Sequence, residues 1–352
     1  MKKIFFMLTL LVASVGAEAK YWKIGPGSVV GMDFASINAA MSSSIVNEGD
    51  TLYLDQYYNE NSDQTVTKEV VIIGTGYDKS LTDEQVVATL TKGIILKANK
   101  ILVKSVRLYS VQFYNEGCII DRCYVSALST NSATAGLNHV YSCYIYTGSN
   151  KNMIYGYSSE KPSKMDIQNC LIIQDYEFGH VIQDLTNSII KNNTIISKTC
   201  SSSNYILSHI INSVISNNII LADRGSSYYN YDIPSAVYAS GSGNSIEHNI
   251  LSHTSAFTNF PTNKYGHGGS ASTLFIRKGR YSDYYQLAME SGDNPAVNYA
   301  MDGGEVGCHG GMFGCPSGGR PQYIPYFTKV TVGSRSEDGK LPVSVTIKIQ
   351  DE

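Results

Sequence analysis

Six short segments decide how this chain folds when they are written one above another: Arg122-Cys123-Tyr124-Val125, Ser142-Cys143-Tyr144-Ile145, Asn169-Cys170-Leu171-Ile172, Asn192-Asn193-Thr194-Ile195, Asn217-Asn218-Ile219-Ile220 and His248-Asn249-Ile250-Leu251. Their second residues lie 20, 27, 23, 25 and 31 positions apart. A period of just over twenty residues, lengthened where loops are inserted, predicts a solenoid. Coils of a parallel solenoid stack ~4.8 Å apart, so equivalent residues form columns. Here the column reads Cys123, Cys143, Cys170, Asn193, Asn218, Asn249. Asn suits a sharp bend because it adopts the left-handed conformation, bonds nearby backbone, and in a stack bonds the next amide as a ladder. Cys at the same position is a small, buried, weakly polar filler. Left-handed β-helices keep a strict hexapeptide period, which is missing here. The expected class is therefore all-β, a single-stranded right-handed parallel β-helix.

Towards the N-terminus, Thr51-Leu52-Tyr53-Leu54, Val70-Val71-Ile72-Ile73, Gly93-Ile94-Ile95-Leu96 and Ile101-Leu102-Val103 are apolar runs parted by Gly, Asn, Asp and Lys turns, which predicts earlier coils. Ahead of them, Asp33 is expected to cap a short helix in which Phe34, Ile37, Ala40 and Met41 recur at helical spacing and form one apolar face. From Pro321 onward, Phe327 to Val332 and Leu341 to Ile349 alternate as strands do, joined through Glu337-Asp338-Gly339. This predicts a β-hairpin that covers the open end of the solenoid, where an unpaired edge would otherwise be exposed; surface attachment is the other reading. The expected division is a signal peptide over 1–19, an N-terminal cap over 20–48, the β-helix over 49–311, and a linker with hairpin over 312–352.

Lys2 and Lys3, an apolar run from Ile4 to Val15 and the triplet Ala17-Glu18-Ala19 form the three parts of a secretory signal, with cleavage expected after Ala19. The run falls short of the ~20 residues that span a bilayer, no later segment is apolar enough to do so, and no Cys stands near the cleavage site to carry a lipid. The mature chain is expected to be periplasmic, cell-surface or secreted, where disulfides persist. With 27 basic and 30 acidic residues and a net charge of -3, it shows no basic excess that would point to nucleic acid. The 26 Tyr and 31 Gly, against nine Pro and one Trp, suit strands and turns better than a helical bundle.

Two ends of the chain resemble bacterial pectin-lyase-like proteins, especially those of Bacteroidetes. Phe34-Ala35-Ser36-Ile37-Asn38-Ala39-Ala40, Gly49-Asp50-Thr51-Leu52-Tyr53-Leu54, Tyr58-Asn59-Glu60 and Val71-Ile72-Ile73-Gly74 look like their opening coils. Tyr285-Gln286-Leu287-Ala288, Asn294-Pro295-Ala296-Val297 and Asp302-Gly303-Gly304-Glu305-Val306-Gly307 through Gly310-Gly311 are similar to their closing segment. The resemblance covers roughly residues 30 to 311 and implies the fold; the superfamily includes lyases, hydrolases and adhesins, so it implies no single activity.

Two chemistries suit such a fold. A lyase needs a base with Ca²⁺ or a cationic side chain, and a hydrolase needs two carboxyl groups across a cleft. The chain has no Asp-Asp pair and no Asp-x-Asp run, so catalytic residues stay unassigned, no cofactor is identified, and Ca²⁺ enters only with the lyase reading. Gly266-His267-Gly268 followed by Arg277-Lys278 is similar in order, not in spacing, to polygalacturonase motifs, whose upstream paired Asp is missing; a solvent-facing turn is the other reading. The long insertions are the expected binding surface. One carries Asp223, Arg224, Tyr228, Tyr229, Tyr231, Asp232 and Tyr238. The other carries Phe257, Phe260, Tyr265, His267, Arg277, Lys278, Arg280, Tyr281, Tyr284 and Tyr285. Aromatic faces beside polar groups suit a sugar ring, although Tyr on a solenoid flank also serves as packing. The expected partner is a polysaccharide or cell-surface glycan, against a structural or adhesive rod as the alternative. Cys308 and Cys315 are expected either to close a small disulfide loop or to stay as thiols, and Cys200 is unassigned.

Overall fold

The structure is a computed structural model describing residues 19–78, 86–133, 135–148, 152–176, 179–197, 205–222, 238–239, 242–251, 261–264, 274–276, 285–288, 294–311, 326–332 and 343–348. Successive coils each place one strand in a ten-stranded, all-parallel sheet, here called the first face. It runs from Tyr21–Ile24 and Thr51–Leu54 through Ile119–Asp121, Asn138–Tyr141 and Met165–Gln168 to Ser245–Glu247. Neighbours in the sheet follow chain order, so the chain winds as a parallel β-helix. Alternate residues point inwards. Val103, Ile120, Val140, Ile167, Ile190 and Ile215 pair rung by rung and are fully buried, which makes one apolar column of the core.

At the end of seven of the ten first-face strands the chain turns sharply. Ser105, Arg122, Ser142, Asn169, Asn192, Asn217 and His248 hold φ between 50° and 58°, the left-handed region that Asn tolerates best. The bend therefore falls one residue before the Cys-to-Asn column, not on the column itself as the sequence suggested. The residue that follows turns its side chain inwards and forms the ladder. Asn193 donates from its backbone N and from Nδ2 to Asn218 Oδ1 (2.9 and 3.0 Å), and Asn218 does the same to Asn249 (2.9 and 3.0 Å). Asn249 in turn donates to Asn263 Oδ1, one rung beyond the column read from the sequence. At the lower end Cys170 N donates to Asn193 Oδ1, and Cys123 N to Cys143 Sγ. Cys118, Cys123, Cys143 and Cys170 are buried thiols.

A second ladder, unread in the sequence, lines the opposite edge of the first face. Cys118 N donates to Asn138 Oδ1, Met165 N to Ser188 Oγ, Ser188 N to Ser213 Oγ, and Ser213 N to Asn244 Oδ1.

Beyond the first bend lie two more faces. The second contains Tyr144–Thr147, Leu171–Gln174, Thr194–Ser197 and Ile219–Ala222; the third contains Ile154–Tyr155, Ile182–Thr186 and Leu207–Ile211. Two seven-residue strands, Arg107–Phe113 and Tyr124–Thr130, run through both and join them into one sheet.

A helix over Ile37–Ser42 buries Ile37, Ala40 and Met41 in the main apolar cluster. Its N-cap is Ser36, whose Oγ accepts from Ala39 N at 3.0 Å, and not Asp33. Asp33 instead accepts from Lys23 N at 2.8 Å, too far from the first turn to serve as its cap. Near the other end, Tyr326–Val332 pairs antiparallel with Val343–Lys348.

Residues 294–311 lie along the outside of the second face rather than adding a coil. Met301 N donates to Asn217 Oδ1, Cys308 N to Thr194 Oγ1, and Asn169 Nδ2 to Cys308 O, so this strap descends over three coils. Gly307, at φ 97°, lets it approach: a Cβ there would stand 2.7 Å from Thr194 Oγ1 and 2.8 Å from Ile219 Cδ1. Under the strap, Ile196, Ile219, Leu221 and Ile250 form a second apolar cluster with Ala296, Ala300 and Val306.

Candidate functional site

The strap covers the later coils of the second face, and the earlier ones lie beyond it. There, in three successive coils, lies a cleft of about 830 Å³. Its shape follows from a break in strand alternation. In Arg107–Phe113, Leu108 and Val111 point inwards while both residues between them, Tyr109 and Ser110, face outwards. Tyr124–Thr130 repeats this with Val125 and Leu128 inside and Ser126 and Ala127 outside. Two consecutive outward residues mean the strand folds there, and stacked folds make a crease. In the third coil the strand is interrupted, and Gly148 and Asn152 complete the wall.

Two columns run along the crease. Ser110 pairs with Ala127 and Val125 with Ile145, a register that puts Tyr109, Ser126 and Tyr146 side by side. Across the crease, Gln112 pairs with Ser129 and Ser129 with Tyr155. Small residues thus make the floor, and Tyr109, Tyr146 and Tyr155 rise beside it. Tyr109 is 46% exposed, and a ring so placed on a rigid sheet offers its face to a ligand. Tyr146 is held by stacking on Tyr144 (ring centroids 6.1 Å apart) and by donating from its hydroxyl to Asp175 Oδ2 at 3.2 Å. Tyr124 also lines the cleft; Arg107 lies 4.3 Å above its ring, and Tyr77 packs on both Tyr124 and Tyr144, which stiffens the wall.

A separate polar group lies on the outside of the first face. Tyr141 donates from its hydroxyl to Asp166 Oδ2 (2.5 Å) and contacts His139 Nδ1 (2.7 Å), while Gln168 Nε2 donates to Asp166 Oδ1 (2.7 Å). Burial pushes the Asp166 carboxyl up, but the hydrogen bonds from His139, Tyr141 and Gln168 outweigh it and leave the group below the usual carboxylate range. Burial and the Asp166 charge together push the Tyr141 hydroxyl up, so it stays protonated. Among the described residues, no group of three or more His, Cys, Asp and Glu gathers as a metal site.

Asp223, Arg224, Tyr228, Tyr229, Tyr231, Asp232, His267, Arg277, Lys278 and Cys315 all lie outside the described residues, as do Cys200 and, but for Ala19, the segment expected to be a signal. Cys308 is buried in the strap. From the expected insertions, Tyr238 lies in a short strand beside Leu207, and Tyr285 packs edge-on against Phe275. The tyrosines of the cleft were not singled out in the sequence. The signal was there in outline, since Tyr124 and Tyr144 belong to the repeat and Tyr146 lies two residues beyond, but only the register places Tyr109 beside them.

Fold and cleft together define the protein as a parallel β-helix with an aromatic crease on one flank. The chain matches no known family, no curated protein and no solved structure. No helix among the described residues is long and apolar enough to cross a membrane.

Proposed function

We propose that this protein is an exported β-helix protein that binds glycan in the tyrosine cleft. The observation that carries the reading is the crease itself: the exposed Tyr109 ring and the half-buried Tyr146 and Tyr155 rings flank a floor of Ser and Ala, with Gln112 and Asn152 at hydrogen-bonding positions. A sugar presents a C–H face to an aromatic ring and hydroxyls to amides and hydroxyls, and both are offered here on strands rather than loops. The signal-like N-terminus and the resemblance to pectin-lyase-like proteins support the same reading, as does the concentration of Tyr in the chain. Binding is assigned to the cleft without catalysis. Its described lining offers neither a pair of carboxyl groups nor a base beside a cation, which are what hydrolysis and elimination of a glycan need.

The test is to incubate the purified mature protein with a panel of neutral and acidic polysaccharides and to measure retention, new reducing ends and unsaturated products. Retention without cleavage is the expected result. Failure to retain any glycan removes this reading and favours a structural rod, whereas cleavage would make the protein a divergent polysaccharide-degrading enzyme.

A further inference from the structure

The tyrosine columns carry more than a general affinity for sugar. Tyr109 and Tyr146 occupy the same column with Ser126 between them, so they stand two rungs, or ~9.6 Å, apart along the solenoid axis. That separation is close to the length of two pyranose rings joined in an extended chain. In a flat, two-fold chain such as a β-1,4-linked one, each ring is turned over relative to the last, so the first and third present the same face. A pair of rings two rungs apart over a small central residue matches that alternation. Every described residue lining the cleft has an uncharged side chain, and Arg107 beside it is stacked on the Tyr124 ring, so none of the described lining residues is placed to neutralise a uronate carboxylate.

Resting on the glycan reading, we infer that the cleft selects a linear, uncharged, two-fold glycan of at least three sugars, laid along the solenoid axis with alternate rings on Tyr109 and Tyr146. The middle sugar lies over Ser126, where a larger side chain would block it. On the opposite column Gln112 faces the edge of the chain and is positioned to bond its hydroxyls through Nε2, its Oε1 accepting from Asn131 Nδ2 at 2.7 Å.

The experiment is calorimetric titration with β-1,4-linked gluco- and manno-oligosaccharides of two to six units. Malto-oligosaccharides, whose α-1,4 links coil the chain, and hexagalacturonate are run beside them. Affinity is expected to rise from two to at least three units in one of the β-1,4 series. Tyr109→Ala and Tyr146→Ala are each expected to weaken hexasaccharide binding about tenfold while changing disaccharide binding less. Ser126→Trp is expected to abolish the gain with length. All three variants are surface changes whose folding is checked by their unfolding midpoints. Equal affinity for two and six units would overturn the axial placement and leave the glycan reading standing. Equal or tighter binding of the maltohexaose or the hexagalacturonate would overturn the selection for a flat, uncharged chain. No binding in any series, with no polysaccharide retained either, would remove the glycan reading and this inference with it.

Discussion

The side-chain oxygen of Asn218 accepts two hydrogen bonds from Asn193, one from its backbone N at 2.9 Å and one from Nδ2 at 3.0 Å, while Asn218 Nδ2 donates to Ile190 O, Ser216 O and Asn249 Oδ1. One residue thus ties three coils together inside the core, where water cannot replace the lost partners.

Replacing it has a calculable consequence. Asn218→Leu strands buried donors and acceptors in two neighbouring coils and adds apolar bulk at a fully buried position, so it should cost about 3 kcal/mol or more. Urea unfolding of the two proteins measures this. A change under about 0.5 kcal/mol would mean that the ladder does not hold the coils together.

The buried thiols give a chemical test of the same core. Burial is the main cause that pushes the Cys118, Cys123 and Cys143 thiols up from their ordinary range. A thiol neither ionised nor accessible does not alkylate. Iodoacetamide labelling read by peptide mass should leave these three unmodified in the native protein and modify them in denaturant. Rapid native labelling of any one would show that its coil opens.

Acid should loosen the molecule through two carboxylates. Asp166 and Asp50 both lie below the ordinary carboxylate range. For Asp50, burial again acts upward and is outweighed by hydrogen bonds from Asn47 N, Trp22 Nε1 and Lys20 N. A group depressed in the folded state binds its proton more readily when unfolded. Its stabilisation is present above the unfolded value of about 3.9 and is lost as pH falls through the lower folded value. Unfolding midpoints measured from pH 7 to pH 2 should therefore drop below about pH 4, and Asp50→Asn with Asp166→Asn should flatten that limb. An unchanged acid limb in the double variant would place the acid sensitivity elsewhere.

The legibility of the sequence follows the physics of each feature. The inner ladder was readable because one bend repeats with Cys or Asn at every coil from Cys123 to Asn249. The opposite ladder was not, because its column mixes Cys118, Asn138, Met165, Ser188, Ser213 and Asn244, residues that share a place and not a type. Ser36 rather than Asp33 caps the helix because the first turn begins only at Ile37, and Asp33 has its own partner in Lys23. The cleft was hidden for a different reason. Tyr109, Tyr146 and Tyr155 are ordinary members of a tyrosine-rich chain, and only the stacking of coils and the double outward step in two strands bring them together. Apart from Tyr238 and Tyr285, the residues expected in the insertions lie outside the described part of the chain, so the cleft stands beside that expectation and does not replace it.

The most direct test of the glycan-binding cleft is a titration of wild type and of the Tyr109→Ala/Tyr146→Ala double variant with whichever panel glycan the wild type retains best. Wild type should saturate. The double variant should bind about a hundredfold more weakly at an unchanged unfolding midpoint, since each ring is expected to contribute about tenfold and the two stand far enough apart to act independently. A double variant that binds as tightly as wild type would contradict the assignment of the cleft.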